Sequence, residues 1–226
     1  MLGPMLLNPV EVRIVGSLIE KELTTPQYYP LTLNALTAAC NQSSNREPVM
    51  QLSEDEVRAT IDALKEKGCA RVVHSPSNRA LKFRQVIHEV FALEREELAV
   101  LGVLMLRGPQ TVGELRTRTE RAAQFDSLDD VERVIDRLGR KVEPLVVRVP
   151  RQPGQKEGRV AHLLGGPPAA ASAPTSAPTV APPAGGAETA EGLAFRVADL
   201  ERQVGELGAA LAALRAEVAR LRAGPG

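Results

Sequence analysis

"VRATIDALKEKGCARVVH", residues 57–74, and "VERVIDRLGRKVEPLVVR", residues 131–148, are two copies of one pattern. Superimposing them places Val57, Ile61, Asp62, Leu64 and Lys67 over Val131, Ile135, Asp136, Leu138 and Lys141. In each copy the apolar residues recur at helical spacing and a short β-branched run follows, so a helix leads into a strand. The repeat extends upstream, where "EVRIVGSLI" from residue 11 matches "ELAVLGVLM" from 97 and aligns Gly16 with Gly102. "LNAL" at 33–36 resembles "VGEL" at 112–115 in the same way.

Each copy therefore reads as three helices and a hairpin. Asn8, Pro9 and Glu11 supply an N-cap, a first-turn proline and a third-position acid for the first helix, whose apolar face is Val12, Val15, Leu18 and Ile19. Leu33, Leu36 and Cys40 predict a short second helix, and Ser53 with Glu56 forms a capping box for the third, which Gly68 ends. "ARVV" and "ALKF" flank "HSPSNR" as the arms of a hairpin. In the second copy Thr111 with Glu114 and Ser127 cap two helices, and "LVVRV" and "RVAHLL" flank "PRQPGQKEG". Three helices closed by a hairpin is the winged-helix plan, and about 75 residues suffice for each copy to close a core.

The expected fold class is mainly α with small β hairpins. Two tandem winged-helix domains span residues 6–90 and 91–165, a disordered Ala/Pro linker spans 166–190, and a coiled-coil helix spans 191–223. "GGPPAAASAPTSAPTVAPPAGGAETA" lacks aromatic residues and nearly lacks charge, so it reads as a semi-extended tether. After it, Leu193, Val197, Leu200, Val204, Leu207, Leu211, Leu214, Val218 and Leu221 alternate spacings of four and three. Valine at a and leucine at d favour a parallel two-stranded coil. Arg196 and Glu217 at g then face Glu201 and Arg222 at e of a partner. A homodimer is the expectation, with Gly205 and Gly208 each weakening the helix by about 1 kcal/mol relative to alanine. An amphipathic helix docked on its own domain is the alternative reading.

"LNPVEVRIVGSLIEKELTTPQYYPLTLNALTAACNQSSNREPVM", residues 7–50, resembles the leading segment of the YceH-like family, bacterial proteins of unassigned function. The likeness covers about residues 6–165 and rests most on "TPQYYPLTLNAL" and "CNQSSNR". It implies tandem winged-helix domains with a C-terminal helix and carries over no catalytic residue. The long Ala/Pro tether departs from the family pattern.

Charge excludes an indiscriminate polyanion binder, because 28 Lys and Arg balance 28 Asp and Glu. The first domain's third helix is acidic, with Glu54, Asp55, Glu56, Asp62 and Glu66 against Arg58, Lys65 and Lys67, which argues against insertion into a DNA groove. The wings are different. Arg71, Arg79, Lys82 and Arg84 have no intervening acid, and Arg148, Arg151, Lys156 and Arg159 lie on or beside the second hairpin. Arg116 and Arg118, with Arg121 on the same predicted helix, extend the basic set. The expectation is a non-enzymatic factor that contacts double-stranded DNA through phosphates and dimerises by its C-terminal helix. The alternative is an assembly module whose winged helices bind a protein partner without DNA.

The loop "CNQSSNREPV", residues 40–49, has two readings. Its amides and serines can satisfy the backbone of a long turn, or Ser43, Ser44, Asn45 and Arg46 can donate to a phosphate. Tyr28 and Tyr29, set between Pro26 and Pro30 in an extended link between helices, can stack on bases or cover the edge of the core, the latter being favoured. Cys40 and Cys69 are isolated and read as buried thiols. His74, His88 and His162 are scattered, so neither a metal centre nor a cofactor site is expected. The longest apolar run, "LAVLGVLML" at 98–106, is about half the ~20 residues of a membrane span, and the N-terminus lacks signal-peptide features. Cytoplasmic location is the resulting expectation.

Overall fold

A computed structural model describes residues 6–75, 78–151 and 156–167, without the side chains of 75, 78 and 79. These residues fall within a single compact unit. They form seven α-helices and two small antiparallel sheets. The predicted coiled coil, including Val197, Leu200, Val204, Leu207, Leu211, Leu214, Val218 and Leu221, lies outside the described residues, as does nearly all of the predicted linker. Among the described residues no helix is long and apolar enough to cross a membrane.

The first half runs α1 (Pro9–Thr24), β1 (Leu31–Thr32), α2 (Leu33–Cys40), α3 (Glu54–Glu66), β2 (Ala70–Ser75) and β3 (Asn78–Gln85). A short α4 (Ile87–Val90) leads to the second half, with α5 (Arg95–Arg107), α6 (Val112–Thr119), α7 (Leu128–Gly139), β4 (Val146–Val149) and β5 (Arg159–His162). The helix starts follow the sequence signals closely. Asn8 accepts from the amides of Val10 and Glu11 at 2.9 Å, and Glu11 accepts from the Asn8 amide at 2.8 Å. The same reciprocal bonds join Ser53 to Glu56, Thr111 to Glu114 and Ser127 to Asp130. Gly68 follows α3 at a φ of +71°, a left-handed conformation open to glycine, and its amide donates to Lys65 while that of Cys69 donates to Leu64.

The repeat is also visible in the core. Leu36, Val57, Ile61 and Leu64 are fully buried in the first half, and Leu115, Val131, Ile135 and Leu138 occupy the matching positions of the second. Glu11 and Glu97, aligned in the two copies, are both buried at the start of their helices. Lys67 reaches Glu11 at 2.7 Å, and Lys141, its counterpart, reaches Glu97 at 3.5 Å. Each copy thus ties the end of its third helix to the start of its first.

Two features depart from expectation. β1 adds a third strand, pairing Leu31 with Phe83 and Thr32 with Lys82, so the first hairpin belongs to a sheet of order β1-β3-β2. A two-residue strand carries no periodicity of its own, which is why the sequence shows only a link there. In the second half Gln110 makes an equivalent isolated bridge to Val160, just before the Thr111 cap. The segment between α1 and β1 is not fully extended, because Pro26–Tyr28 close a single 3-10 turn.

The halves share one contiguous apolar core, built where α1 packs against α5. Both helices use glycine at the crossing. A Cβ on Gly102 would lie 2.7 Å from Ile19 Cγ2, and one on Gly16 would lie 3.0 Å from the Leu106 side chain and 3.1 Å from Met105 Cβ. Three further links cross the same boundary: the Leu7 amide to the Leu164 carbonyl at 2.7 Å, the Glu47 amide to Leu106 at 2.8 Å, and Arg95 to the Leu23 carbonyl at 3.3 Å.

Gly102→Ala gains helix propensity worth about 1 kcal/mol but overpacks the crossing at a cost of ~1–3 kcal/mol. The expected outcome is a lower thermal midpoint, partly restored in Gly102→Ala/Ile19→Leu, where the branch that meets the new methyl is gone. A thermal melt of the three proteins checks this, and a more stable single variant would show that the crossing is not tight.

Candidate functional site

The loop 40–49 is built around two arginines. Arg46 has a fully buried side chain and is not a surface donor for phosphate, which corrects its expected role. Its guanidinium chelates Glu20, with Nη1 to Oε1 at 3.1 Å and Nη2 to Oε2 at 2.7 Å. The same group donates twice to the Ala39 carbonyl, and to Gln42 and the Asn45 carbonyl. Burial raises the Glu20 pKa, but the hydrogen bonds and charge of Arg46, with Lys21, outweigh it and hold the carboxyl below its ordinary value. Arg13, buried on α1, donates to the Cys40 carbonyl at 3.1 Å and to Pro48 at 2.5 Å. Asn41 closes the far end by exchanging two hydrogen bonds with the Leu52 backbone at 2.7 and 2.8 Å. The loop is a structural turn whose carbonyls are capped by cations.

Ser43, Ser44 and Asn45 remain exposed. Asn45 adopts a φ of +61°, and its side chain accepts a close hydrogen bond from Arg107 at the end of α5. These three residues and Arg118 line one cleft, together with Arg107 and Arg121. Arg121 follows α6 rather than lying on it.

The basic residues of the hairpins are dispersed, and several already face carboxylates. Arg71 and Arg84 both hold Glu89, at 2.9 and 2.7 Å, and the Arg84 hydrogen bond holds that carboxyl below its ordinary range. Arg148 bridges Glu132 at 2.5 Å and Asp136 at 2.9 Å, and those hydrogen bonds raise its own pKa. Arg159 lies 3.0 Å from Glu114 and donates to the Pro109 carbonyl. Arg118 shares Glu114 at 3.4 Å, and Arg116 caps the carbonyls of Phe125 and Asp126. Lys82, Arg151 and Lys156 form no ion pair among the described residues, and the Arg79 side chain lies outside them. On α3 the acids Glu54, Asp55 and Glu56 are exposed at the N-terminal turn.

Tyr29 is structural, its hydroxyl accepting from the Gln85 amide at 2.8 Å, whereas Tyr28 is exposed. Cys40 and Cys69 are both buried, and burial raises both thiols, Cys69 to about 11. Burial pulls His162 down to about 4, leaving it neutral at neutral pH. Among the described residues no group of three His, Cys, Asp or Glu side chains is arranged to hold a metal ion.

Residues 7–155 match the family described as protein of unknown function, DUF480. The chain belongs to the DUF480 family. This agrees with the YceH-like resemblance carried by residues 7–50. A UPF0502 protein of Geobacter metallireducens is 52% identical over 198 residues, covering 88% of each chain. That of Geobacter sulfurreducens is 53% identical over 174 residues, covering 77% of this chain and 79% of its own. That of an Azoarcus species is 45% identical over 217 residues, 96% of this chain and 90% of its own. The family match therefore takes in α1–α7, the first hairpin and β4, and ends before β5.

Arg13 and Arg107 escaped the sequence reading. Each is a cation set against an apolar run, Arg13 between Val12 and Ile14 and Arg107 after "LAVLGVLML", and that setting is the available signal. Arg46→Met would leave Glu20 with Lys21 alone and strip the Ala39 carbonyl of its guanidinium donors, at a cost of about 3–5 kcal/mol. Ser43→Ala and Ser44→Ala, at exposed positions, should stay within ~0.5 kcal/mol of the parent. Urea midpoints of the three variants test the assignment, and equal midpoints would refute it.

Proposed function

We propose that this DUF480 chain is a non-enzymatic tandem winged-helix protein that binds duplex DNA through phosphates and dimerises through residues 191–223. The supporting observation is the double occurrence of three capped helices followed by a hairpin, with β1 or the Gln110 bridge completing each wing. In such an arrangement α3 and α7 correspond to groove-facing helices. The acidic turn of α3 disfavours base reading, so binding falls to the hairpins.

Local charge narrows the expected contacts. Arg71, Arg84, Arg148 and Arg159 would have to exchange their own carboxylates for phosphate, which reduces what each contributes. Lys82, Arg151 and Lys156 can meet phosphate without that exchange. Few free cations per chain give weak binding, and a dimer compensates because two tethered heads gain about 10²–10⁴ in avidity when their sites lie within reach.

Protein assembly is the second reading, favoured by this internal neutralisation and by exposed apolar residues on the same elements. Leu81 on β3 and Leu128 at the start of α7 are each nearly half exposed. A groove offering apolar contacts without a positive field suits a protein segment better than a polyanion.

A salt titration of binding to random-sequence duplex DNA separates the readings. The logarithmic slope is about −0.9 per phosphate contact, so Arg151→Ala/Lys156→Ala should reduce it by roughly 2 per chain. Removing residues 190–226 should weaken binding by the avidity factor without unfolding the rest. Undetectable binding at low salt, or a slope unchanged in the double variant, would reject DNA contact through the second hairpin.

A further inference from the structure

A cleft of about 730 Å³ lies between α1, the 42–45 loop, α5 and the end of α6. That volume is within the ~300–1,000 Å³ of small-molecule sites. One wall is apolar, formed by Ile19, Leu23, Val103 and Leu106. The rim carries four cations, Lys21, Arg107, Arg118 and Arg121, against two acids, Glu20 and Glu120. Glu20 is already engaged by buried Arg46 and by Lys21 at 3.1 Å. Arg118 shares Glu114 with Arg159.

Arg107 lines the cleft at the end of α5. It is half-buried, its side chain donates to Asn45, and it has no carboxylate partner among the described residues. Burial, then the neighbouring charge of Arg118, lowers its pKa. Glu20 and Glu114 offset part of that effect without forming an ion pair with it, so an oxyanion with bidentate geometry is the complement its guanidinium still lacks. Ser43, Ser44 and Asn45 add hydroxyl and amide donors at the same mouth.

We propose that this cleft binds a small organic anion, its phosphate or carboxylate head on Arg107 and Arg118 and its apolar body against Ile19, Leu23, Val103 and Leu106. Such a ligand would touch both halves of the unit at once, since α1 and the loop come from the first and α5 and α6 from the second. Its lining includes no hairpin residue, although Arg118 shares Glu114 with Arg159 of β5.

The test is calorimetric titration of the full chain, without DNA, using phenyl phosphate, benzoate and neutral benzyl alcohol as probes. At least one anion should bind saturably at one site while benzyl alcohol does not. The tighter of the two identifies the head group. Arg107→Gln and Arg118→Gln should each weaken binding by about tenfold or more, the worth of a charge-assisted hydrogen bond, and Arg58→Gln on α3 should leave it unchanged. Circular dichroism verifies folding, and Arg118→Gln, at the exposed rim, decides the matter if Arg107→Gln is destabilised. Absence of saturable binding by both anions, equal binding of benzyl alcohol, or affinity unaffected by Arg118→Gln would overturn the proposal.

Discussion

The rest of the structure depends on how closely α1 and α5 approach. Gly16 and Gly102 occupy the same place in the two copies of the repeat, and each receives side chains of the opposite helix where its own Cβ would stand. The contact is therefore reciprocal, as expected when two copies of one unit pack through the same face. Close approach lets Ile14, Val15, Leu18 and Ile19 meet Leu98, Leu101, Leu104 and Met105 in one core. Dispersion and burial at that crossing act on both halves together. The cleft follows from the same geometry, because the helices hold the 42–45 loop and the end of α6 at opposite rims.

Much of this was legible in the residues, because helix capping is local chemistry. Asn8, Ser53, Thr111 and Ser127 cap as their side chains and their third-position acids predict. The aligned pairs Ile61 with Ile135 and Leu64 with Leu138 are buried alike, and the matched Lys67 and Lys141 make matched bridges to Glu11 and Glu97. What escaped was non-local. β1 has only two residues and exists because β3 lies beside it. Whether Arg46 faces solvent or Glu20 depends on a partner 26 residues away, and no spacing rule encodes that. The candidate site was less legible than the fold for this reason: exposed cations and paired cations have the same letter in a sequence.

Pairing also shapes what the surface can do. The hairpins carry the cations expected of them, yet Glu89, Glu114, Glu132 and Asp136 come from neighbouring elements to meet them. An exposed pair of this kind adds little to stability, about 0–1 kcal/mol, so its larger effect is on the local field. Arg107 is the reverse case, a half-buried cation beside like charges. It makes no ion pair among the described residues, and the two proposed activities draw on different arginines.

The central claim is that the two copies stand or fall together through the α1–α5 crossing. Native-state hydrogen exchange in rising urea, read by mass spectrometry on peptides from α3 and α7, tests it most directly. If the claim holds, the slowest amides of both helices converge on one opening free energy with one denaturant slope. If α3 and α7 instead open with separate energies and slopes, each about half the size expected for the whole unit, the halves are independent domains and the crossing is a contact rather than a shared core.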